Sequence, residues 1–448
     1  MKTASLHNLG CKVNSYETEA MQQELEKHGY QIVPFGQPCD VTVINTCSVT
    51  NMADKKSRQM LHRARTVSPK GILVAAGCYV ESSKAWLEEW AKKENIDILI
   101  GNHQKSELMD TIREFQNKEE LRAGVPEIAG VTEYEELKIY RTAEHTRAFM
   151  KIQDGCNQFC SYCIIPYTRG RIRSRRQEDV LEEAGRLAEA GYHEIVLTGI
   201  HVSSYGDGTG ADLLELMKRM SDISGIERIR LSSLEPGLMK EAFVKELSGI
   251  QKICPHFHLS LQSGCEATLR RMNRKYTPEE YEETCQRLRY YFDLPALTTD
   301  VIVGFPGETE EEFLQTEEFV RRLAFYEMHV FKYSKRNGTK AAQMEHQIDE
   351  KTKTQRSKRL ISLGKEMKEN YQKQFLGQVK EILLEEKIQT GEKTYWVGHT
   401  REYIKAAFLE SGESKLEKNT FVTGKLLKTL DVEGTFYNIL LATLENIY

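Results

Sequence analysis

The sequence predicts a multidomain α/β protein. The N-terminal domain carries a parallel sheet, the centre a partial (βα)6 barrel, and the C-terminus a small antiparallel β-barrel. Three observations carry this expectation. The 448 residues exceed one ordinary domain and suggest two to four. Apolar runs alternate with helical stretches over residues 1–120, and again from residue 146 onward. The end of the chain breaks instead into short alternating strands.

The first part contains the runs "ASLHNLG", "VTVINT" and "GILVAAG", with "IDILIG" as a further strand. Continuous apolar runs of this length suit strands buried on both faces of a parallel sheet. Cys11, Cys47 and Cys78 each stand just past the C-terminal end of one of these strands, separated by 36 and 31 residues. Open α/β sheets place their ligand sites outside those ends, so the three thiols are expected to converge. Residues 121–145, with their charge, glycine and proline, read as a linker.

Six strands follow: "FMKIQDG", "EIVLTGI", "RIRLSSL", "HFHLSLQ", "ALTTDVIVGF" and "YEMHVFKY". Barrels of this kind carry their chemistry in loops at the C-terminal strand ends. Those ends hold a cysteine motif, then "TGIH", "SSLEP", "QSG" and "GFPGE", and this rim is the main argument for an enzyme. The barrel domain is expected over 146–370, and a small barrel domain over 374–448 with strands such as "GQVKEILLEE" and "TFYNILLATL".

Composition narrows the class. Hydrophobic content of 40% and charged content of 29% describe a soluble globular chain. The net charge of −4 means that a nucleic acid would have to be held by local basic patches. The N-terminus lacks an apolar leader and no run reaches the ~18 apolar residues of a membrane span, so a cytoplasmic protein with no membrane partner is expected. Ten cysteines in such a setting read as ligands or plain thiols rather than disulfides, with Cys39, Cys254, Cys265 and Cys285 as small buried hydrophobes.

The motif "DGCNQFCSYCIIPYTRG" spaces Cys156, Cys160 and Cys163 as CxxxCxxC and offers no fourth cysteine. Structural zinc needs four ligands, and nearby His145 is the one candidate to complete the set. A cubane cluster held by three thiolates leaves one iron open, and a cofactor can occupy that position.

This spacing, with aromatic Tyr162 before the last cysteine at the end of a first barrel strand, resembles the radical S-adenosylmethionine (SAM) enzymes. The likeness extends over essentially the whole chain. "LGCKVNSYETE", "NTCSVTNMADKKSRQ", "AGCYVE", "LSSLEP", "HLSLQSG" and "TTDVIVGFPGE" resemble the methylthiotransferase family, with its N-terminal domain, radical core and C-terminal TRAM domain. The resemblance implies two 4Fe–4S clusters. Cys11, Cys47 and Cys78 would hold an auxiliary one that carries sulfur. Cys156, Cys160 and Cys163 would hold one that binds SAM and cleaves it to methionine and a 5′-deoxyadenosyl radical. It also implies SAM contacts from Tyr162, beside the adenine, and from His201, Ser233 and Gln262, with Glu235 and Arg271 as partners for ribose or carboxylate. An electron donor of flavodoxin or ferredoxin type follows from the same likeness.

Family members act on an adenosine beside the tRNA anticodon or on a ribosomal-protein aspartate. Basic patches favour tRNA. Residues 55–70 hold six Lys/Arg and no acid, including Lys55, Lys56 and Arg58. "RGRIRSRR" holds five arginines, among them Arg169, Arg171 and Arg173, and residues 351–368 hold seven basic residues against one acid. From residue 374 onward there are 9 basic residues against 11 acidic ones, so if the small barrel binds tRNA it must do so by shape and aromatic contacts such as Trp396 or Tyr403, with simple core packing as the other reading of both residues. "LGCKVNSYETE" resembles the branch acting on N6-threonylcarbamoyladenosine at position 37. The isopentenyladenosine branch reads more like "GCQMN", and the ribosomal branch like "GCPKN". The expected reaction is 2-methylthiolation of that tRNA nucleoside, with the other two substrates, or a metal-containing RNA-binding protein, as alternatives.

Overall fold

The computed structural model describes residues 1–448 except 119, 123, 142–145, 411–415, 431–438 and 448, so His145 lies outside the described residues. The N-terminal domain runs β1 (Thr3–Asn8), α1 (Lys12–Lys27), β2 (Gln31–Ile32), β3 (Val41–Thr46), α2 (Asn51–Val67), β4 (Ile72–Gly77), α3 (Cys78–Ser82), α4 (Lys84–Glu94), β5 (Ile98–Ile100) and α5 (Leu108–Lys118). Its five strands pair in parallel in the order β2-β1-β3-β4-β5. β3, "VTVINT", is buried at every position, as a β-branched strand covered on both faces must be. α2 starts where the Thr50 hydroxyl accepts from the Ala53 N–H, a cap that fixes the chain direction just after Cys47.

The central domain runs β6 (Ala148–Asp154), α6 (Ile165–Thr168), β7 (Arg173–Ser174), α7 (Gln177–Glu189), β8 (Glu194–Gly199), α8 (Leu213–Ser221), β9 (Arg228–Leu231), α9 (Glu241–Ser248), β10 (His256–His258), α10 (Glu266–Arg271), α11 (Pro278–Tyr291), β11 (Ala296–Val303), α12 (Glu310–Leu323), β12 (Glu327–Lys332) and α13 (Glu350–Lys373). β6, β8 and β9 pair in parallel, as do β10, β11 and β12. Isolated bridges Ile229↔Ile253 and Leu234↔Leu259 join the two groups into one curved six-stranded sheet. β7 adds antiparallel to the end of β6. Capping boxes at Thr277/Glu280 and Thr309/Glu312 start α11 and α12 on the outer layer.

Among the described residues β6 and β12 do not pair, so the barrel stays open along one side. The N-terminal domain reaches both edges of that opening. α1 packs against β6 and β8. At the other edge Asn51 of α2 donates to Ser334 Oγ and to the Lys335 carbonyl, while Arg336 pairs with Asp54 at 2.6 Å. The segment expected as a linker packs inward, with Leu137 and Ile139 buried in the central core and the Leu137 carbonyl accepting from Tyr16 at 2.6 Å.

The last five strands, β13 (Val379–Thr390), β14 (Lys393–Thr400), β15 (Lys405–Leu409), β16 (Phe421–Leu430) and β17 (Ile439–Ile447), close into a barrel. Four of its pairings are antiparallel, and β15 with β17 is parallel. This barrel docks on the N-terminal ends of the central strands, opposite the cysteine motif. Tyr403 stacks between His256 and His399, at 4.7 and 4.4 Å, under the guanidinium groups of Arg147 and Arg230. Trp396 is buried in the small barrel's own core. Of the two readings of these aromatic residues, the structure agrees with core packing. Among the described residues no helix is long and apolar enough to cross a membrane.

Candidate functional site

Cys11, Cys47 and Cys78 sit on three loops at the C-terminal end of the N-terminal sheet, and small residues let those loops close on one another. A Cβ on Gly10 (φ +132°) would stand 3.2 Å from Cys47 Sγ, and one on Gly77 (φ +95°) would stand 2.5 Å from Asn45 Oδ1. Asn14 ties the first two loops by donating to the Leu9 and Thr46 carbonyls. Burial pushes the Cys47 thiol up to about 11, and the neighbouring Cys78 and Cys11 add to it, so the three sulfurs share one electrostatic environment.

The second trio shares one short loop. The motif loop is pinned by the turn after α10: Ser161 N–H donates to the Met272 carbonyl, Ser161 Oγ to the Arg271 carbonyl, and Asn273 to the Phe159 carbonyl. Burial, then Cys160 and Cys156, push Cys163 up to about 12. Burial raises the Cys156 and Cys163 thiols, a cost that cationic iron bound there would offset. Among the described residues no three His, Cys, Asp or Glu side chains converge as a single metal ion would require.

The two trios are neighbours. Asn102 donates to Cys78 Sγ at 3.5 Å and to the Thr168 carbonyl, behind the second motif, at 2.7 Å. A cavity of about 220 Å³ is walled by Tyr162, Cys163, Gln262, Asp300 and Phe331 on the barrel side and by Val49 and Thr50, just after Cys47, on the other.

The remaining expected residues divide. Tyr162 is partly buried at this cavity and meets Phe305 edge-on, and Gln262 holds a strained φ of +69° between the strand ends. His201 is buried, with its Nδ1 on Ser204 Oγ at 2.6 Å and its Nε2 without a partner among the described residues, and burial lowers its pKa. Ser233 is exposed on the same rim.

Arg271 is a correction. Its side chain is held by Glu312 and by the Pro306 and Gly307 carbonyls, while only its backbone carbonyl meets the motif, at Ser161. Arg274, which sequence reasoning missed, is the arginine whose side chain meets the motif. Its Nη2 pairs with both oxygens of Glu235 at 2.7 and 2.6 Å, and its Nη1 donates to Cys160 Sγ at 3.3 Å.

The basic patches also divide. Lys55, Lys56 and Arg58 are exposed on α2, with Arg58 bonded to the Tyr79 hydroxyl, and Arg171 is exposed over the Phe159 ring. Arg169 and Arg173 are buried and cannot present themselves to RNA. Arg169 pairs instead with Glu17 and Asp154, within a network that includes Lys151 and Lys105. On α13, Lys353, Arg356, Arg359 and Lys368 are committed to carboxylates, which leaves that helix a much weaker basic face than its composition implies.

Comparison with known proteins follows this division of the chain. A family described as the radical SAM superfamily matches residues 150–320, and the uncharacterized protein family UPF0004 matches 3–101. A threonylcarbamoyladenosine tRNA methylthiotransferase, MtaB, from Bacillus subtilis is 43% identical over 91% of this chain and 90% of its own. The chain belongs to the methylthiotransferase family of radical SAM enzymes. Another member, a tRNA-2-methylthio-N(6)-dimethylallyladenosine synthase from Thermoanaerobacter sp., is 36% identical over 85% of this chain and 81% of its own. Among solved structures, the radical SAM methyltransferase TsrM from Kitasatospora setae shares the fold, with a TM-score of 0.56 at 15% identity over 74% of this chain and 73% of its own. As a radical SAM methylthiotransferase the enzyme uses a 4Fe–4S cluster and SAM.

Proposed function

We propose that this methylthiotransferase converts N6-threonylcarbamoyladenosine at position 37 of tRNA, next to the anticodon, to its 2-methylthio derivative. The observation that carries this reading is the closeness of the two trios: Asn102 bridges Cys78 and the Thr168 carbonyl behind the second motif, and one cavity is lined both by Cys163 and by Val49 and Thr50, just after Cys47. A methylthiolation at carbon needs both a hydrogen-abstracting radical and a sulfur carrier within reach of the same carbon. Relatives named for this nucleoside support the choice of substrate.

In this reading Cys156, Cys160 and Cys163 hold the SAM-binding cluster, and Cys11, Cys47 and Cys78 hold a second 4Fe–4S cluster. When bound, the first supplies reductive cleavage of SAM and the second supplies sulfur. The chain's own residues orient and shield. Tyr162 and Gln262 wall the SAM pocket, His201, Ser233 and Glu235 contact the cofactor from the rim, and Arg274 fixes Glu235. The apolar walls at Val49, Ile302 and Phe331 keep water from a reactive radical. Lys55, Lys56, Arg58 and Arg171 contact tRNA phosphates, a flavodoxin- or ferredoxin-like protein delivers electrons, and the setting is cytoplasmic.

The test is nucleoside mass spectrometry of bulk tRNA from cells lacking the protein and from complemented cells. The 2-methylthio-N6-threonylcarbamoyl nucleoside appears only on complementation. If it is unchanged while 2-methylthio-isopentenyladenosine responds, the substrate assignment is wrong.

A further inference from the structure

Asn102 lies just past β5, in a loop bonded to α3, the helix that Cys78 begins. Gly101 permits the close approach, since a Cβ there would collide with Glu81 Oε1. The Asn102 backbone N–H donates to that same oxygen at 2.9 Å. The side chain is fully buried, and both ends of its amide have partners. The nitrogen donates to Cys78 Sγ at 3.5 Å and to the Thr168 carbonyl at 2.7 Å, and the oxygen accepts from Lys105 Nζ at 2.9 Å.

The neighbours decide which end of the amide faces the sulfur. Lys105 has only protons to give, and a peptide carbonyl can only accept. Turning the amide over would set nitrogen against ammonium and oxygen against oxygen. The nitrogen must therefore face Thr168, and with it Cys78. Lys105 is itself buried and paired with Glu17 at 3.1 Å, so it does not swing away to water.

Asn14, which also borders the trio, presents the opposite end. Its nitrogen donates to the Leu9 and Thr46 carbonyls, and its oxygen accepts from Arg169. It has no proton left for the sulfur of Cys11. An N–H aimed at a ligating sulfur stabilises added negative charge there, and so raises the reduction potential of a cluster which that sulfur holds.

We propose that Asn102 positions and tunes the auxiliary cluster. It ties the Cys78 corner to the radical domain through the Thr168 carbonyl, and its bond to the sulfur raises that cluster's reduction potential. This inference rests on the reading that Cys11, Cys47 and Cys78 hold a 4Fe–4S cluster. Asn102 acts through Cys78 and is a positioning residue.

The test is potentiometric titration of the full-length, reconstituted protein followed by electron paramagnetic resonance, with iron counted in the same samples. The response to SAM marks the signal of the Cys156, Cys160 and Cys163 cluster, and the remaining signal reports the auxiliary one. Asn102→Leu keeps the shape and removes the donor. It makes reduction of the auxiliary cluster about fivefold less favourable, a fall of about 40 mV at ~59 mV per tenfold. Asn102→Asp keeps a partner for Lys105 but turns an acceptor toward the sulfur, and its fall is larger, about tenfold or ~60 mV. Both variants keep about eight iron atoms per chain and leave the potential of the SAM-binding cluster unmoved.

An auxiliary potential unchanged in both variants overturns the inference. So does an equal shift of both clusters, which marks a general disturbance. Loss of the auxiliary iron from both variants marks a purely structural residue and overturns it too. If Asn102→Leu alone loses iron, Asn102→Asp decides by the same shift. An unaltered protein that takes up only about four iron atoms and shows one signal instead defeats the two-cluster reading. Two clusters with an unmoved auxiliary potential defeat only the role of Asn102.

Discussion

Arg169 and Glu17 belong to different domains and share two hydrogen bonds, Nη1 to Oε1 at 2.7 Å and Nη2 to Oε2 at 3.0 Å, with neither side chain exposed. Burial alone would raise the Glu17 pKa, but Arg169, Lys105 and Lys151 outweigh it and hold the carboxyl well below its ordinary value. Arg169 also donates to Asn14, the residue that ties the Cys11 and Cys47 loops. The pair thus fixes one cysteine trio against the domain that bears the other. Arg169→Ala leaves Glu17 buried with only its lysines, and costs about 3–5 kcal/mol. The fall in urea midpoint, at unchanged slope, reads that loss.

Arg274 donates to Cys160 Sγ, and hydrogen bonds to cluster sulfur favour the reduced state. Arg274→Gln lowers the reduction potential of the cluster at Cys156, Cys160 and Cys163 by about 40 mV, the equivalent of one net hydrogen bond of roughly 1 kcal/mol. Potentiometric titration followed by electron paramagnetic resonance measures the shift, and Arg271→Gln leaves it unmoved.

Surface exposure separates the basic residues proposed to meet RNA from those that are buried. The double substitution Lys55→Ala/Lys56→Ala reduces the slope of log binding constant against log salt by about 1.5–2, and Arg171→Ala reduces it by a little under one. Filter binding over a range of salt concentrations checks both. Arg173, buried beside Asp154, contributes no such term.

The floor of the barrel is pH-dependent through Glu194. Burial opposes its charge, yet Arg230, Arg147 and Arg228 hold the carboxyl at about 2 against an ordinary 4.5. A depressed acid stabilises the fold above its unfolded pKa, and the stabilisation disappears as pH falls from 4.5 toward 2. Its full extent is roughly 3 kcal/mol at neutral pH. Glu194→Gln is therefore less stable than the unaltered chain at pH 7, and the gap narrows below pH 4.5, as urea melts of the cluster-free chains at each pH show.

The strands were readable because buried parallel strands are continuous apolar runs, and β3 or β4 can be read in no other way. Cys11, Cys47 and Cys78 could be grouped in sequence because each follows a strand end, where the topology gathers loops, and Cys156, Cys160 and Cys163 because they share one short motif. Burial of arginine was not readable. In "RGRIRSRR" the partners of Arg169 and Arg175 are Glu17 and Glu183, and Glu17 lies 152 residues from Arg169 along the chain. Arg271 and Arg274 also look interchangeable in sequence. α10 ends at Arg271, which faces Glu312 of α12, and Asn273 with φ +60° turns Arg274 back toward Cys160. A single left-handed residue decides which arginine reaches the site.

The most direct test of two cooperating sites is to quantify 5′-deoxyadenosine, methylthio product and iron together. The assay holds reconstituted enzyme, SAM, a reductant and threonylcarbamoyladenosine tRNA. Cys160→Ala makes neither 5′-deoxyadenosine nor product. Cys78→Ala still forms 5′-deoxyadenosine but makes no product, and its iron falls from about eight to about four atoms per chain. Methylthiolated tRNA from Cys78→Ala at the level of the unaltered enzyme would contradict the account.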